Sequence, residues 1–344
     1  MLIAIEEHWV APGITAALNA QSRPDESLAL NELGHHLQQL EDLGEGRIAA
    51  MDAQGIDISI LALTPPGTQP LPPQQARLLS SAANDTAIEA VSRHPTRLRA
   101  LSTLPMSAPN HVVDELVRAT ELGHVGAMVY GRSGDRFLDD PAYDELFAAA
   151  AELGQPIFIH PQIPSDAVRD ASYRGFDELT DLALATFGWG WHLDAALAAL
   201  RLIIRGTFDR HPDLQIVLGH WGEMLLFWLD RADSIARVAG LQRSVSDYVR
   251  SNVHVTASGM LNPALLGHVL SVTSIDRLMF STDYPFQNPT DDQIVAFLRH
   301  FDSDEDRDKF SATNAASLYR IDTPLWPGGA PDTKPETPNQ RQPA

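Results

Sequence analysis

The chain has 344 residues, 44% of them hydrophobic and 20% charged, enough to bury a large core. A formal net charge of −20 argues against nucleic acid or an anionic membrane as partner, and no apolar run reaches the length of a membrane span. The absence of cysteine excludes disulfides, thiolate metal sites and a cysteine nucleophile, and an N-terminus that opens on an apolar strand with no basic leader leads us to expect a cytoplasmic protein.

Short β-rich apolar runs fall at residues 2–8, 58–64, 98–105, 125–130, 156–160, 214–220, 253–258 and 277–283. Between them lie amphipathic stretches at 74–94, 110–122, 144–153, 193–208, 223–238 and 263–272. Strand alternating with helix predicts a parallel sheet, and eight such units predict a (β/α)8 TIM barrel. A doubly wound sheet is the competing fold, but no Gly-rich dinucleotide fingerprint opens any of the helices. The repeat is distorted in two places. Residues 10–42 form a long mixed segment read as a lid over the barrel mouth, and a second insertion rich in Asp, Ser, Gly and Trp separates His160 from His192. Residues 1–321 are assigned to the barrel domain, and residues 322–344, rich in Pro and Gly without periodicity, to a disordered tail.

The chemistry-bearing residues end the predicted strands. In an extended strand Glu6 and His8 point to one face and Glu7 to the other. His160 ends the fifth strand, His220 the sixth and Asp283 the eighth. All strand C-termini of a barrel meet at one mouth, and the first and eighth strands are neighbours, so Glu6, His8, His160 and Asp283 converge with His220 beside them. Each has a bland alternative: a solvated charge cluster for Glu6–His8, an Asx-turn for Asp283, a first-turn helix acid for Glu223. Five polar groups at one barrel end, buried without a metal, would carry a large desolvation cost. Two oxygen and two nitrogen ligands suit Mn²⁺, Zn²⁺ or Fe²⁺, of which Mn²⁺ and Zn²⁺ are preferred. The only lysines are Lys309 and Lys334, so a lysine-bridged metal pair is excluded and a single ion is expected.

Several motifs carry a resemblance. They are residues 4–8, Arg47 with 51–57, the stretches 61–69, 93–97, 125–129 and 158–161, and the longer segments 208–223 and 280–286. With these the chain resembles the metal-dependent non-oxidative decarboxylase branch of the amidohydrolase superfamily, near the γ-resorcylate, 2,3-dihydroxybenzoate and 5-carboxyvanillate decarboxylases. The resemblance implies metal ligands at Glu6, His8, His160 and Asp283, and a catalytic His220 hydrogen-bonded to Glu223. It implies substrate contacts from Arg47, Arg231 (sometimes acting across a subunit interface) and Tyr130. Phe286, with Trp189 and Trp191, is a candidate wall of the pocket. Tyr130 stands where γ-resorcylate enzymes carry asparagine, which points away from γ-resorcylate itself, and the 64–69 stretch leans towards the 5-carboxyvanillate type.

The implied reaction is loss of CO2 from an ortho-hydroxylated aromatic carboxylic acid, with Asp283 protonating the ring carbon. The implied assembly is a homodimer or homotetramer. The alternative is a metal-dependent hydrolase acting on a lactone, ester or amide, with Asp283 as base.

Overall fold

The computed structural model describes residues 1–322; the expected disordered tail from 323 onward lies outside the described residues. Eight parallel strands form one sheet in chain order. They are β1 (Ile3–Trp9), β2 (Ile58–Leu63), β3 (Leu98–Thr103), β4 (Gly126–Tyr130), β5 (Ile157–His160), β6 (Ile216–Leu218), β7 (Val253–Thr256) and β8 (Leu278–Met279). Helices such as Pro73–Arg93, Val112–Leu122 and Pro263–Val272 lie between them, giving a (β/α)8 barrel.

Two apolar clusters define the layers. Ile3, Ile5, Ile60, Leu101, Phe158 and Val217 belong to the inner one, together with Ala312, Ala315, Tyr319 and Ile321 from the segment after β8, which close the end of the barrel opposite the mouth. The alternate residues, among them Ala4, Leu61, Val129, Ile159 and Leu218, join the outer cluster under the helices. Burial on both faces explains why these strands read as continuous apolar runs.

β1 breaks the alternation once. Its pairing with β2 slips between Ala4 and Glu7, a bulge. Strict alternation from Ile3 and Ile5 would send Glu7 inward and Glu6 outward. The extra residue turns Glu6 and His8 towards the interior instead, the re-aiming that bulges perform beside functional sites. All seven residues of β1 are buried, so its charged run is no surface cluster.

β8 is shorter than expected. After Met279 the chain leaves the ladder because the Phe280 N–H bonds to the Phe310 carbonyl and the Ser281 carbonyl takes the Gly259 N–H. Closure onto β1 is made by other means. The His8 N–H donates to the Tyr284 carbonyl at 2.7 Å. Glu7, pointing away from the interior, accepts from the Thr282 N–H at 3.0 Å and from the Thr282 hydroxyl at 2.6 Å.

The two insertions meet over the mouth. The first holds the helices Pro12–Asn19 and His36–Glu41 around a 3₁₀ turn at Glu26–Glu32; the second holds Asp166–Ser172 and Glu178–Ala185. Glu26 pairs with Arg169 at 2.6 Å and Arg174 at 2.8 Å, and Arg23 with Asp166 at 2.9 Å. Among the described residues no helix is long and apolar enough to cross a membrane.

Because hydrogen bonds to a charged group are worth about 1.5–3 kcal/mol each, Glu7→Ala should lower unfolding stability by about 3 kcal/mol. Urea denaturation measures this, and a loss no larger than that of an ordinary surface substitution would contradict the closing role of Glu7.

Candidate metal centre

Glu6, His8, His160 and Asp283 each present one ligand atom, and all four atoms lie within 4.8 Å of one another. β1 supplies the first two, the last residue of β5 the third, and the turn after β8 the fourth. Glu6 Oε2 accepts from the hydroxyls of Ser258, Thr256 (3.0 Å) and Ser281 (3.3 Å). Its other oxygen, Oε1, is buried without a hydrogen-bond partner and lies 3.6 Å from His160 Nε2. His8 Nε2 lies 3.1 Å from Asp283 Oδ1, yet neither ring nitrogen of His8 makes a well-formed hydrogen bond. The His160 ring is held through Nδ1 by the Pro161 carbonyl at 2.7 Å, leaving Nε2 to face the cluster. Buried lone pairs without hydrogen-bond partners, on Glu6 Oε1 and on one ring nitrogen of His8, within a cluster of four potential ligand atoms are the pattern a divalent cation satisfies.

Electrostatics agree. Burial pushes the Glu6 carboxyl up to about 7 against the charge of His220. Burial, with His8 beside it, pushes His160 down to about 3, so its imidazole is neutral and able to ligate. Burial also opposes the charge on Asp283, but His220 and His8 hold its carboxyl far below the usual range.

His220 Nε2 stands 3.7 Å from Asp283 Oδ2, and its Nδ1 is 2.8 Å from Glu223 Oε1. Burial alone would depress the His220 pKa, but the Glu223 carboxylate holds it well above the usual value. Glu223, which burial alone would raise, is kept at about 2 by His220 and by His192. The helix expected over 223–238 runs only over Leu229–Ala239. Before it, His220, Trp221, Gly222, Glu223 and Met224 all take positive φ. Such residues cost about 1–2 kcal/mol each when not glycine, and strain of this kind clusters at functional sites. The left-handed turn folds Glu223 back onto His220, so it is not a first-turn helix acid. Gly219 permits the convergence: a Cβ there would sit 2.9 Å from Glu6 Oε1, 2.9 Å from Ser258 Oγ and 3.0 Å from Glu223 Oε1.

Above these groups opens a cavity of about 540 Å³. Its walls include Phe286, Trp189, Trp191 and Met260, and the first insertion adds Leu30 and Asn31. Phe286 packs edge-on to His8 with centroids 5.6 Å apart.

Three expected substrate contacts do not reach the cavity. Arg47 is buried, and its guanidinium donates to the backbone carbonyls of His8 (2.6 Å), Asp42 (2.9 Å) and Gln39 (3.2 Å), so it ties the first insertion to β1. Tyr130 is buried beneath the floor, its hydroxyl donating to the Leu63 carbonyl at 2.9 Å. Arg231 is exposed on the helix that follows the left-handed turn. No arginine or lysine of the described residues lines the cavity. Sequence reasoning missed His192 and the hydroxyls of Thr256, Ser258 and Ser281; Thr256 and Ser258 carry no motif, whereas Ser281 lies within the 280–286 stretch and Trp-Gly-Trp-His at 189–192 was a visible cluster.

Comparison with known proteins gives a consistent result. The sequence profile of the family described as "Amidohydrolase" matches residues 34–321. A γ-resorcylate decarboxylase of Rhodococcus jostii is 33% identical over 342 residues, covering 93% of this chain and 98% of its own. The crystal structure of 5-carboxyvanillate decarboxylase from Novosphingobium aromaticivorans, complexed with manganese and 4-hydroxy-3-methoxy-5-nitrobenzoic acid, superposes with a TM-score of 0.82 at 33% identity, covering 93% of this chain and 96% of that one. That of 2,6-dihydroxybenzoate decarboxylase from Rhizobium gives 0.78 at 30% identity, covering 94% and 99%. With the barrel, the ligand cluster and these likenesses in agreement, the chain belongs to the amidohydrolase family.

Proposed function

We propose that this protein is a carboxy-lyase that releases CO2 from an ortho-hydroxylated aromatic carboxylic acid without net oxidation. The observation that carries the reading is the position of Asp283, shared between the four-ligand cluster and the His220–Glu223 pair at the floor of an aromatic-walled cavity. The decarboxylases similar to this chain over nearly its whole length support it.

Glu6, His8, His160 and Asp283 would hold one divalent ion, Mn²⁺ or Zn²⁺, which when bound supplies the positive charge that orients the substrate's carboxylate and ortho oxygen. The manganese in the 5-carboxyvanillate decarboxylase structure favours Mn²⁺. Loss of CO2 directly from the acid would leave an unstabilised aryl carbanion. Asp283 avoids it by taking the proton of the substrate's phenol and delivering it to the ring carbon that bears the carboxylate. A C–H bond forms there; the C–C bond to the carboxylate then breaks, its electron pair restores the aromatic ring, and CO2 departs. A carboxyl held far below the usual range is a strong acid once protonated, and Asp283 would take its proton from a substrate phenol acidified enough by the charge of the bound ion. His220, kept cationic by Glu223, faces the developing negative charge. Residues 10–42 act as the lid that excludes water, with Asn31 facing the substrate. The working form is a homodimer or homotetramer, for which the exposed Phe227 and Trp228 beside Arg231 supply an apolar face.

Assayed with Mn²⁺, the protein should release CO2 from ortho-hydroxybenzoates and no acid from a lactone panel; the reverse would establish hydrolysis. Asp283→Asn should lower turnover by about 10²–10⁴-fold or more, and an active variant would remove Asp283 as proton donor. Gly219→Ala should lower metal affinity by about 10–100-fold by displacing Glu6 Oε1, read by metal analysis after dialysis. The Glu6 pKa, raised to about 7, sets the pH dependence. In the metal-free protein the neutral carboxyl is the tolerated form, so stability is full below the unfolded pKa and falls as pH rises through about 7. Metal needs the carboxylate, so its affinity should rise over the same range with release of a proton, measurable by calorimetry in buffers of differing ionisation enthalpy.

A further inference from the structure

Glu223 is held by two histidines. His220 Nδ1 takes Oε1 at 2.8 Å, and His192 Nδ1 takes Oε2 at 2.7 Å. His192 is the third residue of the helix Gly190–Ile204 and lines the cavity with its neighbour Trp191. Its ring lies 4.6 Å from that of His220, centroid to centroid. The Trp191 indole N–H donates to His192 Nε2 at 3.0 Å.

Proton placement along this chain is determined from one end. An indole N–H is a donor only, so His192 Nε2 accepts from it and a neutral His192 carries its proton on Nδ1. The Phe187 carbonyl lies 3.1 Å from the same Nε2, but a nitrogen that accepts from Trp191 has no proton to give it. His192 Nδ1–H then occupies Glu223 Oε2, and Glu223, a carboxylate, can only accept. His220 must therefore donate from Nδ1, and its Nε2 is the atom turned towards Asp283 and the cavity.

We propose that His192 is a positioning residue for the reaction read above, on which this inference rests: with Trp191 it anchors the second oxygen of Glu223, and so fixes the rotation of that carboxylate and the Nδ1–H form of His220. A carboxylate bonded to His220 alone could turn about its last torsion. Anchored at both oxygens, it presents Oε1 to His220 in one orientation.

The test compares His192→Leu with His192→Asn, whose side-chain amide nitrogen occupies the place of Nδ1 and can donate to Glu223. His192→Leu should lower kcat about tenfold or more, with KM and bound manganese unchanged, and His192→Asn should recover most of the loss. Independently of turnover, long-range ¹H–¹⁵N spectra of ¹⁵N-histidine-labelled, Zn²⁺-loaded protein, recorded at a pH high enough to neutralise the His220 ring, report its tautomer. They should show an Nδ1–H tautomer in the wild type, a mixture in His192→Leu, and return of the Nδ1–H form in His192→Asn. The proposal is overturned if His192→Leu leaves kcat and the His220 tautomer unaltered. It is equally overturned if the two variants are impaired alike, or if the loss in His192→Leu follows loss of metal with the tautomer unchanged. If the wild type decarboxylated no hydroxybenzoate, the reading of function would fail, while the spectra would still decide the role of His192.

Discussion

The seam between β8 and β1 has little of the backbone ladder that joins the other strands, and the candidate site depends on it. β8 contributes two residues to the sheet before its chain turns towards Phe310. What holds the two strands is a backbone bond from His8 to Tyr284 and the carboxylate of Glu7 on Thr282. These contacts flank Asp283 on both sides. The same few bonds that close the barrel therefore set the separation between His8 and Asp283. In Glu6-Glu7-His8 the outward carboxylate is structural, and the inward pair supplies two of the four candidate ligand atoms.

Around that seam the site is built from atoms whose other bonds are already made. Three hydroxyls occupy one oxygen of Glu6 and leave the other bare. A carbonyl fixes the His160 ring. The left-handed turn from His220 to Met224 accepts unfavourable backbone angles to bring Glu223 under His220, and the bare backbone of Gly219 leaves room for them. Above, the two insertions meet through Glu26 and its arginines; surface pairs of this kind are individually weak, and their effect lies in joining segments that would otherwise move separately.

Much of this was legible in the sequence. The eight strands were visible because burial on both faces makes them apolar throughout, and the ligands stood out because each ended a strand. The bulge in β1 was not legible, since the same letters are compatible with either facing. Inward orientation of Glu6 and His8 was therefore expected from simple alternation, whereas in the structure it follows from a break in that alternation. Arg47 drew attention as a charged residue in a shared motif, but its partners are backbone carbonyls, which leave no trace in side-chain identity. The start of the helix at Leu229 was hidden because left-handed backbone at Trp221, Glu223 and Met224 defies the preferences of those residue types. His192 only marked the end of a segment set aside as an insertion, and the fold brings it against Glu223.

The closing seam also has a consequence in time. Glu7 and Thr282 are 275 residues apart in the chain. At the pace of protein synthesis, the two sides of the seam leave the ribosome about 14–55 s apart. Throughout that interval β1 is an unpaired sheet edge on the β8 side, carrying two glutamates and a histidine with no partner to meet them. Those charges, so costly to bury alone, keep a nascent strand from pairing with the wrong neighbour. The residues that complete the cluster at the end of folding thus also protect the barrel while it waits for its last strand.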